Sequence, residues 1–278
     1  MIQLQHISFG YKKKQLLFDN LNLTFNSGKI YGLLGKNGTG KTTLIKIMAG
    51  LLQPGTGICT SNNEDVFKRL PSELNQLFVV PEEFSLPAIT MNQYIGINAS
   101  FYTNFNTAQF NRYAQEFELP DNKKLNTLSF GQKKKFLLAF GLATNTRILF
   151  LDEPTNGLDI PSKSQLRKII AQSLTEERSI VISTHQARDL ESLIDTILII
   201  EDGQIIFNHE YNRVSETLSF EKAAAIDELT DVIYSEETLG GYKVVRSTEK
   251  DSGTLLDLEL LFNAVIANKS DINQHFKN

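Results

Sequence analysis

Residues 35–42 read Gly-Lys-Asn-Gly-Thr-Gly-Lys-Thr, directly after the apolar run Ile30-Tyr31-Gly32-Leu33-Leu34 and directly before Thr43-Leu44-Ile45-Lys46-Ile47-Met48-Ala49. A strand, a glycine loop and a helix start in that order make a phosphate-binding loop, and this constrains the fold more than any other stretch of the chain. Glycines at 35, 38 and 40 let the backbone turn its N–H groups inward around a phosphate, and the following helix adds the positive end of its dipole. Lys41 is placed to reach β- and γ-phosphates, and Thr42 to ligate Mg²⁺. Asn37, Gly38, Thr39, Gly40 and Thr43 complete the expected nucleotide-binding set. The chain is expected to bind a nucleoside triphosphate.

At 278 residues the chain has room for one large α/β domain and an appendage, and its 41% hydrophobic content suffices for a sizeable core. Its net charge of −4 leaves no broad basic surface, so no nucleic-acid partner is expected. The first residues, Met1-Ile2-Gln3-Leu4-Gln5-His6-Ile7, alternate like a strand and lack the pattern of a signal peptide. No apolar run approaches the roughly 20 residues that span a bilayer, so membrane contact is expected only through another chain. The single cysteine, Cys59, excludes an internal disulfide and a cysteine-based metal site, which fits cytosolic residence.

Residues 1 to about 30 alternate polar and apolar around turn signals at Phe9-Gly10-Tyr11 and Asn26-Ser27-Gly28, which predicts an antiparallel β region. Pro54-Gly55-Thr56-Gly57 reads as a further turn. From Asn92 to about Gly141 the pattern is helical, with a break at Pro120-Asp121-Asn122. Arg147 to Asp152 and Ser179 to His185 are continuous apolar runs with polar ends, as parallel strands covered on both faces should be. A helical stretch from Pro161 to about Leu174 separates them. Ile197–Ile200 and Ile205–Phe207 then form a hairpin pattern around Asp202-Gly203. Beyond about 210 the segments are short and mixed.

Phosphoryl transfer needs a second oxygen ligand for Mg²⁺ and a group to position water. Asp152, at the end of an apolar strand beside the glycine loop, is the expected metal partner. Glu153 points differently from its neighbour and is suited to accept a proton from water. Ser129 and Gln132, three residues apart, have capping-box spacing, and a helix start with a glycine is also an anion site.

Taken together, Gly35–Thr42, Leu128-Ser129-Phe130-Gly131-Gln132, Leu149-Phe150-Leu151-Asp152-Glu153-Pro154, Gly157-Leu158-Asp159 and Ser183-Thr184-His185 resemble the ATP-binding cassette (ABC) ATPases in order and spacing. In that family these are the Walker A loop, signature, Walker B strand with its catalytic glutamate, D-loop and switch histidine. The resemblance covers roughly residues 1 to 207 and implies an α/β fold: a P-loop NTPase core with a mostly parallel sheet, an N-terminal antiparallel β subdomain and an inserted helical subdomain at about 88–142. It places an ABC ATPase domain at 1–209 and leaves 210–278 as a small C-terminal accessory region.

The resemblance also implies a head-to-tail pair of cassettes, each ATP lying between one Walker A loop and the partner's signature. A second cassette is therefore expected, either another copy or a related subunit, together with an integral-membrane permease subunit that holds the chain on the inner face of the cell membrane. By the same likeness Tyr11 stacks on adenine, Ser129, Phe130, Gly131 and Gln132 face the partner's ATP, and His185 contacts the γ-phosphate.

Two positions depart from the family pattern. Glu82, in Val80-Pro81-Glu82-Glu83-Phe84, stands where the Q-loop glutamine would be, and is counted with Thr42 and Asp152 as a metal ligand through oxygen. Phe130 replaces the second signature glycine and is expected to be strained if that position needs positive φ. Lys133–Lys135 reads as the solvated face of a helix. Phe84, Phe101, Tyr102 and Phe105 either line a groove for a membrane subunit or pack in a core. The function implied is ATP hydrolysis driving a separate permease, with efflux as the direction. The alternatives are a soluble cassette ATPase acting on nucleic acid or ribosomes, and a regulatory ATP binder.

Overall fold

The computed structural model describes residues 1–12, 15–226, 229–248 and 253–276. Along the chain the strands are β1 (Ile2–Phe9), β2 (Phe18–Phe25), β3 (Ile30–Leu34), β4 (Thr56–Ser61), β5 (Glu64–Asp65), β6 (Leu77–Val80), β7 (Ile148–Asp152), β8 (Ser179–Thr184), β9 (Thr196–Glu201), β10 (Gln204–Glu210), β11 (Leu218–Ala223), β12 (Val232–Thr238) and β13 (Gly241–Ser247). The helices are α1 (Lys41–Met48), α2 (Pro71–Leu74), α3 (Met91–Asn98), α4 (Thr107–Glu116), α5 (Phe130–Ala143), α6 (Ile160–Ser173), α7 (Tyr211–Thr217), α8 (Leu258–Ala267) and α9 (Lys269–Gln274).

The central sheet has the order β10-β9-β3-β8-β7-β6, parallel except for the antiparallel β9–β10 pair. Strands β3, β7 and β8 are buried along their whole length, as continuous apolar runs sandwiched between two layers must be. The hairpin β9–β10 turns at Asp202 and Gly203, with φ of 46° and 71°, the left-handed pair that a two-residue loop requires. One face of the sheet packs on α1 and the antiparallel sheet, through Leu33, Leu44, Ile47, Phe150 and Val181. The opposite face packs on α5, α6 and the C-terminal elements.

The antiparallel region is the four-stranded sheet β2-β1-β4-β5. It extends further than its sequence suggests, because Thr56 and Gly57, read as part of a turn, begin β4 instead. Gly57 sits at φ 90° where the β1–β4 register shifts, and a Cβ there would lie 2.4 Å from the carbonyl oxygen of His6. Glycine at a bulge and glycine at a turn give the same local signal.

The helical region is α3, α4 and α5, joined by an aromatic cluster in which Tyr94 and Phe105 contact Phe140 at centroid distances of 5.2 and 5.0 Å. Tyr102 and Phe105 pack against the core, while Phe101 is exposed. Of the three lysines read as a solvated face, Lys134 is instead fully buried. It shares the inner face of α5 with Leu137, Leu138 and Gly141, three, four and seven residues on.

Residues 211–276 contribute α7, a three-stranded antiparallel sheet β11-β13-β12, and α8 and α9. Their apolar residues Leu218, Val245, Leu261 and Val265 join the same core cluster as Ile197 and Phe207 of the central sheet. Helix α8 lies against the turn after β8, where Arg188 pairs with Glu259 and the Glu191 carboxylate accepts the Leu258 N–H.

Candidate active site

Register brings the site together. Leu34 pairs with Thr184 across β3–β8, and Asp152 pairs with Ser183 across β7–β8, so the carboxyl ends of three neighbouring strands deliver Gly35, His185 and Glu153 to one edge. A crevice at the carboxyl edge of an open α/β sheet is where ligands bind. Here it is a cleft of about 430 Å³ lined by Asn37, Lys41, Thr42, Glu82 and Glu153, with Tyr11 at its rim.

The glycine loop is shaped by backbone demands. Gly38 and Gly40 sit at φ 84° and 105°, and a Cβ on Gly40 would lie 2.9 Å from the Phe18 ring. Gly40 is the N-cap of α1 and offers no side chain, so the first-turn N–H groups of the helix have no side-chain cap and can face an anion. The buried amine of Lys41 donates to the carbonyls of Gly35 at 2.7 Å and Lys36 at 3.2 Å, and stands 3.6 Å from Glu153 Oε1. Thr39 turns its hydroxyl back to the Lys36 carbonyl at 2.9 Å.

The acidic side is held as tightly. Thr42 Oγ1 donates to Asp152 Oδ2 at 2.8 Å, and the Ser183 hydroxyl donates to Asp152 Oδ1. Glu153 Oε1 lies 2.9 Å from His185 Nδ1, whereas Glu153 Oε2 is buried with no hydrogen-bond partner among the described residues. Glu153 is itself left-handed, with φ 44°, and its N–H donates to the Ser183 carbonyl at 3.1 Å. Asn156 donates to Glu82 Oε1 at 3.0 Å, so the carboxylate in the Q-loop position is tied to the segment after β7.

An oxygen-only set of Thr42 and Asp152 beside the phosphate loop suits Mg²⁺, which takes one or two protein oxygens and fills its other positions with phosphate and water. Among the described residues no group of three or more His, Cys, Asp or Glu could hold a metal by itself.

Tyr11 is 68% exposed, and its hydroxyl is 2.9 Å from Thr43 Oγ1, which holds the ring at the mouth of the cleft. The signature residues stand elsewhere. Ser129 and Gln132 form the capping box at the start of α5, and none of the four signature residues lines this chain's cleft. Phe130 is 51% exposed and is the first helical residue, without positive φ, so the expected backbone strain is not there. Its ring stacks on Phe84 with centroids 5.6 Å apart and covers Gly157, where a Cβ would meet the ring at 2.6 Å. Asp159 caps α6 by accepting the Ser162 N–H at 2.9 Å, and the Ser162 hydroxyl together with this N–H holds its carboxyl below the usual range.

Sequence reasoning missed two groups. Ser183 fixes Asp152, and the signal for it was the polar end of an otherwise apolar strand. Lys134 donates to the carbonyls of Pro81 at 3.0 Å and Asp152 at 3.1 Å. Burial lowers its pKa to about 8, against the opposing pull of the Asp152, Glu82 and Glu153 carboxylates.

A family model described as ABC transporter matches residues 18–156. The chain is 31% identical over 218 residues to the ABC transporter ATP-binding protein NatA of Bacillus subtilis, covering 74% of this chain and 88% of NatA. It is 33% identical over 212 residues to the bacitracin transport ATP-binding protein BcrA of Bacillus licheniformis, covering 73% and 69% of the two chains. A solved ATP-binding subunit of an ABC transporter superposes with a TM-score of 0.70 at 23% identity, covering 77% of this chain and 91% of that one. With the family's matched segment spanning the glycine loop, Glu82, the signature residues, Asp152 and Glu153, the chain belongs to the ABC transporter family, as its ATP-binding, ATP-hydrolysing cassette.

Proposed function

We propose that this cassette hydrolyses Mg-ATP between two copies of the chain and transmits the resulting movement to a separate membrane permease that exports its cargo. The observation that carries the catalytic part is the buried, unpartnered Oε2 of Glu153, whose other oxygen is held by His185 and faces Lys41. In this reading Lys41 and the α1 N-terminus hold the β- and γ-phosphates, and Tyr11 takes the adenine. Thr42 and Asp152 hold Mg²⁺, with Glu82 contributing through oxygen. Bound there, the cation offsets charge on the phosphate oxygens.

Water attacks the γ-phosphorus, the bond from γ-phosphorus to the β-bridging oxygen breaks, ADP leaves, and Glu153 Oε2 takes the water proton. His185 orients the glutamate and senses the γ-phosphate. Ser129, Phe130, Gly131 and Gln132, set apart from their own cleft, serve the ATP of the second copy, with Asp159 beside them at the start of α6. Residues 1–209 form the catalytic cassette and 210–278 the appended region.

No helix among the described residues is long and apolar enough to cross a membrane. The relatives' names as ATP-binding proteins of transporters support a permease on a separate chain and a site of action at the inner membrane face. BcrA is named for bacitracin transport, which supports a cargo of that kind. Steady-state hydrolysis by Glu153→Gln is the test. Turnover should fall roughly 10² to 10⁴-fold with ATP binding retained, and wild-type turnover would refute the role of Glu153.

A further inference from the structure

Lys134 has no part in the hydrolysis just described, yet its amine is fully buried at the point where three elements of the site meet. The two carbonyls it holds, those of Pro81 and Asp152, follow or end the neighbouring parallel strands β6 and β7. The Phe84 ring centroid lies 5.7 Å from the amine, and Phe84 in turn stacks on Phe130 at the start of the same helix. One ammonium thus bonds a backbone acceptor at the end of each of two neighbouring strands.

The peptide between Asp152 and Glu153 is gripped on both sides. Lys134 holds its carbonyl, and its N–H donates to the carbonyl and hydroxyl of Ser183 at 3.1 and 3.2 Å. Glu153 leaves this peptide in a left-handed conformation that a residue with a Cβ disfavours, so the surroundings must impose it. If the peptide rotated toward a relaxed φ, the carboxylate would swing away from His185 and Lys41.

We infer that Lys134 is a positioning residue that fixes the Asp152–Glu153 peptide, and with it the Glu153 carboxylate, to the helix that begins with the signature. This rests on the reading of Glu153 as proton acceptor. The link runs from Ser129 and Phe130, which face the partner, through just over one turn of α5 to the glutamate of this chain's own cleft. A movement of the signature helix therefore reaches the proton acceptor through a single side chain. Arginine, with more donors in a planar fork, keeps both carbonyl bonds available, while methionine fills the space and donates nothing.

The experiment compares Lys134→Met and Lys134→Arg in the full chain by three readouts: Mg-ATP affinity, turnover, and hydrogen exchange of the nucleotide-free protein over residues 80–84 and 150–157. In Lys134→Met, kcat should fall roughly 10- to 100-fold, as a small misplacement of a reacting group costs, with ATP affinity within about twofold and faster exchange in both segments. Lys134→Arg should recover kcat to within about threefold and restore slow exchange.

Unchanged kcat and exchange in the Met chain, parallel loss of affinity and kcat, or an Arg chain as impaired as Met would each overturn the inference. If the Met chain does not fold, Lys134→Gln, with one amide to reach one carbonyl, replaces it. An intermediate loss of kcat at constant affinity is expected, and wild-type kcat with wild-type exchange overturns the inference. Adding Lys134→Met to Glu153→Gln should lower residual turnover no further. A further drop would show that Lys134 acts other than through Glu153. Wild-type turnover by Glu153→Gln alone would instead refute the glutamate's role, leaving the exchange result to decide whether Lys134 holds the peptide.

Discussion

In the cleft, Lys41, Asp152 and Glu153 are buried and their positions are over-determined by bonds to Gly35, Thr42, Ser183 and His185. At the signature, Ser129 and Phe130 stand at the surface, held by a capping box and an aromatic stack. A buried network costs much to disturb, because each group removed strands another in low dielectric. A capped surface turn can be altered for about 1 kcal/mol. In the proposed reading the cleft is one half of a site, whereas the signature is a presented edge that serves the ATP of a second copy. Substitution of a phosphate-holding group of the cleft should weaken ATP binding, whereas substitution at the signature should leave binding intact and lower turnover.

The largest effect after Glu153→Gln should come from Lys41→Met. Losing one charge-assisted hydrogen bond of about 1.5–3 kcal/mol should weaken ATP binding roughly 10- to 150-fold, which equilibrium titration with a fluorescent ATP analogue would read. Unchanged affinity would break the comparison at its stronger side.

Ser129→Ala should leave that affinity within about twofold, since Ser129 does not line its own cleft, and should lower unfolding free energy by about 1 kcal/mol through the lost cap. Turnover should fall as well. Weakened ATP binding by the isolated chain would mean that the signature serves the cleft of its own copy.

Phe130→Gly should have the smallest effect. Losing the stack on Phe84 costs about 0.5–1.5 kcal/mol, visible in denaturant unfolding, with ATP affinity unchanged. No change in stability would show that the ring contributes nothing to the presented edge.

What could be read in advance follows the same division. Asp152, Glu153 and His185 were legible because each ends an apolar run, and a parallel strand buried on both faces announces its own carboxyl edge. Ser183 was not, because its role depends on a β7–β8 register that pairs it with Asp152 across 31 residues of sequence. Lys134 was misread because three consecutive lysines outweighed the period of α5, on which 134, 137, 138 and 141 share a buried face. The strain foreseen at Phe130, should that position need positive φ, does not arise because the residue opens a helix and takes helical φ.

The C-terminal sheet was illegible for another reason. Its strands are largely half-buried along their length, so hydrophobic alternation is weak, and Leu218 finds Ser247 only through long-range pairing. Cys59, by contrast, behaves as its surroundings dictate. Burial raises its thiol to about 12, so it should resist alkylation until the chain unfolds.

The most direct test of the claim that each chain carries one half of two sites is the size of Glu153→Gln in saturating Mg-ATP, measured together with wild-type turnover against protein concentration. A dimer that forms only with ATP, with turnover rising more steeply than linearly, is the predicted result. A variant that stays monomeric with ATP bound, while wild-type turnover is strictly proportional to concentration, would contradict it.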